Sequence, residues 1–334
     1  MTTLLPRASN RSVPFAVRLA LAALALVPAV ARSQWPLGVD QADSLLAAGR
    51  VATAESVYYA TSSARPRDAR ARAALGRYLA SRGALRIGAV LLEEARLFGA
   101  DSAGIARSLA PIYGSLGDYR ALSVLPASPL TSAEQARARW LVSHPPVLEF
   151  PDSVSKLGYK PLTDGSGLGT IKISIDDRLV DAAIDPSVSG VVLQGKAARR
   201  RGGIRLFGAD STGIVGVISE LHLGDVILSN VPARLDTSSA GASTSKARGV
   251  LLGLDVLRRL APTFEPKADT VTLRRSGQIS PTTPGARAPM LLDERGLRVL
   301  IDARWDSASS RTVAQLLAMR SWTLDAKRGS IVLQ

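Results

Sequence analysis

The chain has 334 residues, 46% of them apolar and 4% aromatic, with no cysteine and two histidines. This composition excludes a disordered chain, a disulfide framework, a thiolate zinc site and a lipidated cysteine, and it leaves Ala, Leu and Val to build the core. The formal charge of +14 does not mark a nucleic-acid partner, because only Arg199-Arg200-Arg201 is a dense cluster and it has no aromatic neighbour for base stacking.

Residues 1–31 read as an export signal. Arg7, Arg11 and Arg18 form a basic leader without an acid, Leu19 to Val27 an apolar stretch, and Ala29-Val30-Ala31 a small-residue cleavage site. The apolar run is shorter than the roughly 20 residues that span a bilayer, and Pro28 interrupts it. Cleavage before Arg32 is therefore expected. The mature chain is then exported, periplasmic or extracellular, and meets a membrane only transiently during export.

From Asp40 to about Val142, Ala, Leu and Arg recur at helical spacing. His144-Pro145-Pro146 ends this texture, since two successive prolines stop a helix. Gly49, Gly83 and Gly117 are spaced by 34 residues, each at an expected turn between helices. With Leu75-Gly76 and Ala95 in the middle unit, this period resembles the tetratricopeptide repeat family. Gly88 and Leu122 depart from it by standing where Ala is usual. The resemblance implies stacked helix pairs over residues 32–144, whose concave face would hold a peptide or protein partner or else pack on the rest of the chain.

Residues 145–167 are expected to be a linker. Beyond them come short β-branched runs broken by Gly, Asp and Pro. Thr170–Ile175 alternates as a half-buried strand, Asp176-Asp177 makes a turn, and Leu179–Ile184 leads into Asp185-Pro186-Ser187. Further strands are expected at 190–193, 213–223 and 226–235, followed by a loop over 236–248 and a strand over Gly249–Leu252. Asp255 is read as the N-cap of a helix over 256–260, and Thr263-Phe264 with Thr270–Leu273 as a closing hairpin.

This order resembles one lobe of the retropepsin-like (pepsin-type) aspartic peptidase family over residues 168–275. The implied architecture is multidomain α plus β: N-terminal α-helical tetratricopeptide-like repeats, then a mainly-β retropepsin-like barrel. The resemblance makes Asp185 the candidate catalytic carboxylate. It also makes Leu251-Leu252-Gly253 the hydrophobic-hydrophobic-Gly strand that passes behind the catalytic loop. The tripeptide departs from the family, which has Asp-Thr-Gly or Asp-Ser-Gly. Pro186 offers neither a hydroxyl nor an N–H, and Ser187 brings a hydroxyl one position late while adding a Cβ.

Aspartic protease chemistry needs two carboxylates about 3 Å apart that share one proton. A second could come from Asp302, which also ends an apolar run in Ile-Asp, or from Asp185 of another copy in a homodimer. Residues 256–273 align with 316–333 at an offset of 60, matching Leu257 with Leu317, Thr263 with Thr323, Lys267 with Lys327 and Leu273 with Leu333. Residues 276–334 therefore read as a β extension or a remnant second lobe. Asp302 precedes Gln315, the counterpart of Asp255, by 13 positions, whereas Asp185 precedes Asp255 by 70; the shorter interval has no room for a flap.

Two functions follow. One is a pseudoenzyme-like lobe, impaired in peptide hydrolysis and retained for peptide or protein binding. The other is an active aspartic endopeptidase, cutting a polypeptide substrate with Asp185 from two chains. No cofactor and no metal are implied: His144 and His222 lack clustered acids. Gly165 to Gly169 precedes a strand rather than a helix, unlike a nucleotide loop, and no Gly-x-Ser-x-Gly elbow is present.

Overall fold

The computed structural model describes residues 38–163, 167–199, 202–236, 249–275, 279, 285–293, 296–308 and 310–334. The export signal expected over residues 1–31 lies outside these residues, as do Arg200, Arg201 and positions 237–248. Helices come first: α1 (Val39–Ala47), α2 (Val51–Ala64), α3 (Ala69–Ser81), α4 (Leu85–Leu97), α5 (Ser102–Leu116), α6 (Tyr119–Ser123) and α7 (Ser132–Ser143). Their ends are written in the sequence. Asp68, Asp101 and Asp118 accept from the first free N–H groups of α3, α5 and α6, and Thr131 with Glu134 forms a reciprocal capping box on α7.

The turns at Gly49, Gly83 and Gly117 share one geometry. Each glycine has a left-handed φ, between 72° and 91°. The next residue donates its N–H five positions back: Arg50 to Leu45, Ala84 to Leu79 and Asp118 to Tyr113. This is the Schellman closure, which disfavours any residue with a Cβ at the glycine. Between α3 and α4 the backbones come close, since a Cβ on Gly88 would lie 2.8 Å from both the Ala80 Cβ and the Gly76 carbonyl oxygen. Gly88 thus has a packing reason.

The β region runs β1 (Val147–Glu149), β2 (Val154–Pro161), β3 (Gly169–Ile175), β4 (Arg178–Asp185), β5 (Val191–Gln194), helix α8 (Gly195–Arg199), β6 (Ile204–Asp210), β7 (Gly213–Leu223), β8 (Val226–Asp236) and β9 (Val250–Gly253). Helix α9 (Leu254–Leu257) with a 3-10 turn over Arg258–Leu260 then precedes β10 (Thr263–Glu265) and β11 (Thr270–Arg274). The stretch expected as a linker carries two strands: β1 pairs with β8, and β2 with β3 and β11. Strand order β3-β4-β9-β5-β8-β7 closes on itself through Ser174 to His222 and Ile175 to Leu221, giving a barrel. Ile171, Ile173 and Ile175 alternate into its core.

The chain ends with β12 (Ala286–Asp293), β13 (Gly296–Ile301), β14 (Arg304–Ser307), helix α10 (Arg311–Met319), β15 (Trp322–Asp325) and β16 (Ser330–Leu333). The repeat at offset 60 is physical. Thr263 pairs with Thr323 across β10 and β15, with their hydroxyl oxygens 2.9 Å apart, and Phe264 stacks on Trp322 at 4.0 Å. In each copy a helical segment leads into a hairpin whose outer strand pairs with an earlier strand: β11 with β2, and β16 with β12. Those partners pair in turn with β3 and β13. The last 50 or so residues therefore reproduce the frame of the first β unit, with no counterparts of β5 to β9 among the described residues.

Residues 38–334 form one compact unit, and the helical turns make the junction. A Cβ on Gly49 would lie 2.7 Å from the Ala303 carbonyl oxygen, and one on Gly83 only 1.9 Å from that of Ala326. At the third turn, Arg259 donates to the Ser115 carbonyl at 2.9 Å. Arg82 adds donation to the Met290 and Gly329 carbonyls, and Trp305 to that of Leu46.

Candidate functional site

Asp185 ends β4, directly beside Gly253 of the parallel strand β9. Behind it, Ile184 and Leu252 are fully buried, so the strand cannot slip without moving apolar side chains to the other face. β9 lies between β4 and β5, parallel to the first and antiparallel to the second. Leu251-Leu252-Gly253 thereby runs behind the loop that follows Asp185. The Gly253 N–H donates to the Gly190 carbonyl at 2.8 Å, and a Cβ on Gly253 would meet the Val188 carbonyl oxygen at 2.5 Å. Glycine is the residue that fits.

In the loop itself, Oδ1 of Asp185 accepts from the Ser187 N–H at 2.8 Å and from the Ser187 hydroxyl at 2.6 Å. The late hydroxyl is spent on the chain's own carboxylate, as in other Asx turns. Among the described residues Ser187 is the only hydrogen-bond partner of the Asp185 carboxylate. Pro186 is buried and Ser187 exposed. The start of β13 lies against this loop: a Cβ on Gly296 would be 3.2 Å from the Pro186 carbonyl oxygen and 3.7 Å from the Ser187 Cα.

The far end of the loop is held by a residue whose role the sequence did not reveal. α9 begins at Leu254 with Gly253 as N-cap, so Asp255 sits in its first turn rather than capping it. Both Asp255 oxygens accept from the Gly190 N–H at 2.9 Å, and Oδ2 also accepts from the Ser189 hydroxyl at 2.7 Å. Sixty-five residues separate Asp255 from Gly190, and no local pattern signals such a pair.

Asp302 occupies a different setting from Asp185. With Ala303 it forms the two central residues of the β13–β14 hairpin, at φ 47° and 60°, flanked by the pair Ile301 and Arg304. Its structural counterpart is Asp176, which with Asp177 turns β3 into β4 at φ 52° and 59° between Ile175 and Arg178. Both are hairpin turns with two left-handed residues. β14 then runs for four residues where β4 runs for eight. The position reached by Asp185 at the end of β4 corresponds, after Ile-Asp-x-Arg, to Arg311 of α10. No hydrogen bond joins Asp302 to Asp185 among the described residues.

The β6–β7 hairpin is tied to the helices. At its tip, Asp210 accepts from the Thr212 N–H and hydroxyl at 2.8 and 2.7 Å and pairs with Arg234 at 2.6 Å; Arg234 in turn reaches Glu134 of α7 at 2.6 Å. The Asp210 side chain is 6% exposed. The hydrogen bond from Arg234 holds its carboxyl well below the usual carboxylate range, with the Thr212 bonds adding to the effect and burial opposing it.

No family model and no curated protein matches this chain. Among solved structures, the crystal structure of a retropepsin-like aspartic protease from Rickettsia conorii is similar at 14% identity and a TM-score of 0.27, over 39% of this chain and 94% of that chain.

Proposed function

We propose that the β region is a retropepsin-like lobe that binds polypeptide without hydrolysing it, in an exported protein whose tetratricopeptide-like helices buttress the lobe. The observation that carries this reading is that Oδ1 of Asp185 is taken by its own loop and that, among the described residues, no second carboxylate is hydrogen-bonded to it. Ser187 supplies both of its hydrogen bonds among the described residues. Aspartic protease chemistry instead needs a neighbouring carboxylate to share a proton, so that one group acts as base on water and the other as acid on the carbonyl.

The terminal copy of the frame supports the same reading. It keeps the hairpin turn at Asp302 but, among the described residues, shows no loop equivalent to 185–190 and no partner carboxylate of that kind. The start of β13 against the Pro186–Ser187 backbone, where a Cβ on Gly296 would be 3.2 Å from the Pro186 carbonyl oxygen, also supports a loop enclosed by its own chain.

The test uses the purified chain and Asp185→Asn with an unfolded protein mixture from about pH 3 to 7. Expected are no cleavage by either protein and equal binding of fluorescently labelled peptides by both. Pepstatin-sensitive cleavage that disappears in Asp185→Asn would establish the homodimeric endopeptidase instead.

A further inference from the structure

The turn at Asp325–Arg328 and the segment Arg258–Ala261 enclose a cavity of about 250 Å³, lined by Arg258, Ala261, Leu324, Asp325, Lys327 and Arg328 among others. The acid in this lining is already neutralised: Asp325 is buried and pairs with Arg287 at 3.0 Å and Arg328 at 3.1 Å. Arg258 is in the opposite situation. It is half-buried, yet among the described residues no acceptor lies within hydrogen-bond or ion-pair distance of its guanidinium. Burial lowers its pKa, with Asp255 opposing that shift, but the Asp255 oxygens are engaged by Ser189 and Gly190.

A guanidinium carries five donors and no acceptor, and that of Arg258 leaves them facing the cavity, where solvent or a ligand can accept from them. Lys327 and Arg328 are both exposed at the mouth of the same cavity. We propose that this cavity binds a small oxyanion, a phosphate or carboxylate group, with the fork of Arg258 as its anchor and Lys327 and Arg328 at its entrance. A planar guanidinium matches two oxygens of either group at once. The proposal does not depend on whether the Asp185 loop hydrolyses peptides.

Calorimetric titration of the full chain tests this, with inorganic phosphate in one arm and acetate in the other, both at constant ionic strength in chloride so that general screening of the basic chain cancels. Saturable binding of phosphate, acetate or both is expected, and the arms distinguish the two anion types. Arg258→Gln should weaken that binding about tenfold or more. Should that variant fail to fold, Lys327→Gln at the exposed rim should still weaken binding several-fold. Absence of binding beyond chloride, or unchanged affinity in a folded variant, would overturn the proposal.

Discussion

The carbonyl oxygen of Ala326 lies 1.9 Å from where a Cβ on Gly83 would be placed, whereas the same construction on Gly99 meets nothing within 4 Å. The two glycines have nearly equal φ, 91° and 93°, so the backbone cost of adding a side chain is shared and only the docking differs. Gly99→Ala should cost about 1 kcal/mol from left-handed strain. Gly83→Ala should cost about 3 kcal/mol or more, because the turn must also lift off the β region. Urea unfolding of both variants measures the difference. Equal costs would mean that the turn does not carry the junction.

Asp255 closes the loop after Asp185 without belonging to it. Asp255→Ala leaves the buried Gly190 N–H without its carboxylate acceptor and should destabilise the chain by about 2 kcal/mol. The exchange of the Gly190 amide with solvent should accelerate at the same time, while amides in α3 keep their protection. Hydrogen exchange followed by NMR reads both. An unchanged Gly190 rate would show that Asp255 is not what holds the loop.

Acid should weaken the tie between the β6–β7 hairpin and α7. The Asp210 carboxyl has a folded-state pKa below its unfolded value, so its contribution is fully present above about pH 4. That contribution fades as pH falls through the lower, folded value. Asp210→Asn should therefore be less stable than the parent at pH 7, and the gap should narrow from about pH 4 downward. Urea curves at pH 7, 4 and 2.5 provide the comparison; a gap independent of pH would show that the interaction does not rest on the Asp210 charge.

What the sequence made legible was local. The turn at Asp176-Asp177, the approach of Ile184 to Asp185 and the run Leu251-Leu252-Gly253 follow from period-two alternation and turn chemistry, which act over a few residues. The pairing of Thr263 with Thr323 was visible only as a numerical offset; the sequence did not say that the copies lie edge to edge. Asp302 shows the limit. An apolar strand ending in Ile-Asp is written the same way whether a hairpin or an open loop follows, and Ile301-Asp302-Ala303-Arg304 matches Ile175-Asp176-Asp177-Arg178 as well as it matches the approach to Asp185. The grip of Asp255 on Gly190 and the link of Asp210 through Arg234 to Glu134 join distant parts of the chain, where no spacing rule applies. β1 and β2, within the expected linker, are recruited by partners that come later in the chain, β8 and β11, and tertiary pairing overrides weak local preference there.

Because β9 separates β4 from β5, the two strands flanking the Asp185 loop have no ladder with each other. The wedge arrives 56 positions after Gln194. Until Val250–Gly253 is threaded between them, both edges stand open and the loop has no fixed curvature. Closing so long a span costs chain entropy before any contact repays it. A chain arrested before Val250 would expose two unpaired edges and be prone to self-association. Asp185 thus owes its setting to a strand encoded far downstream.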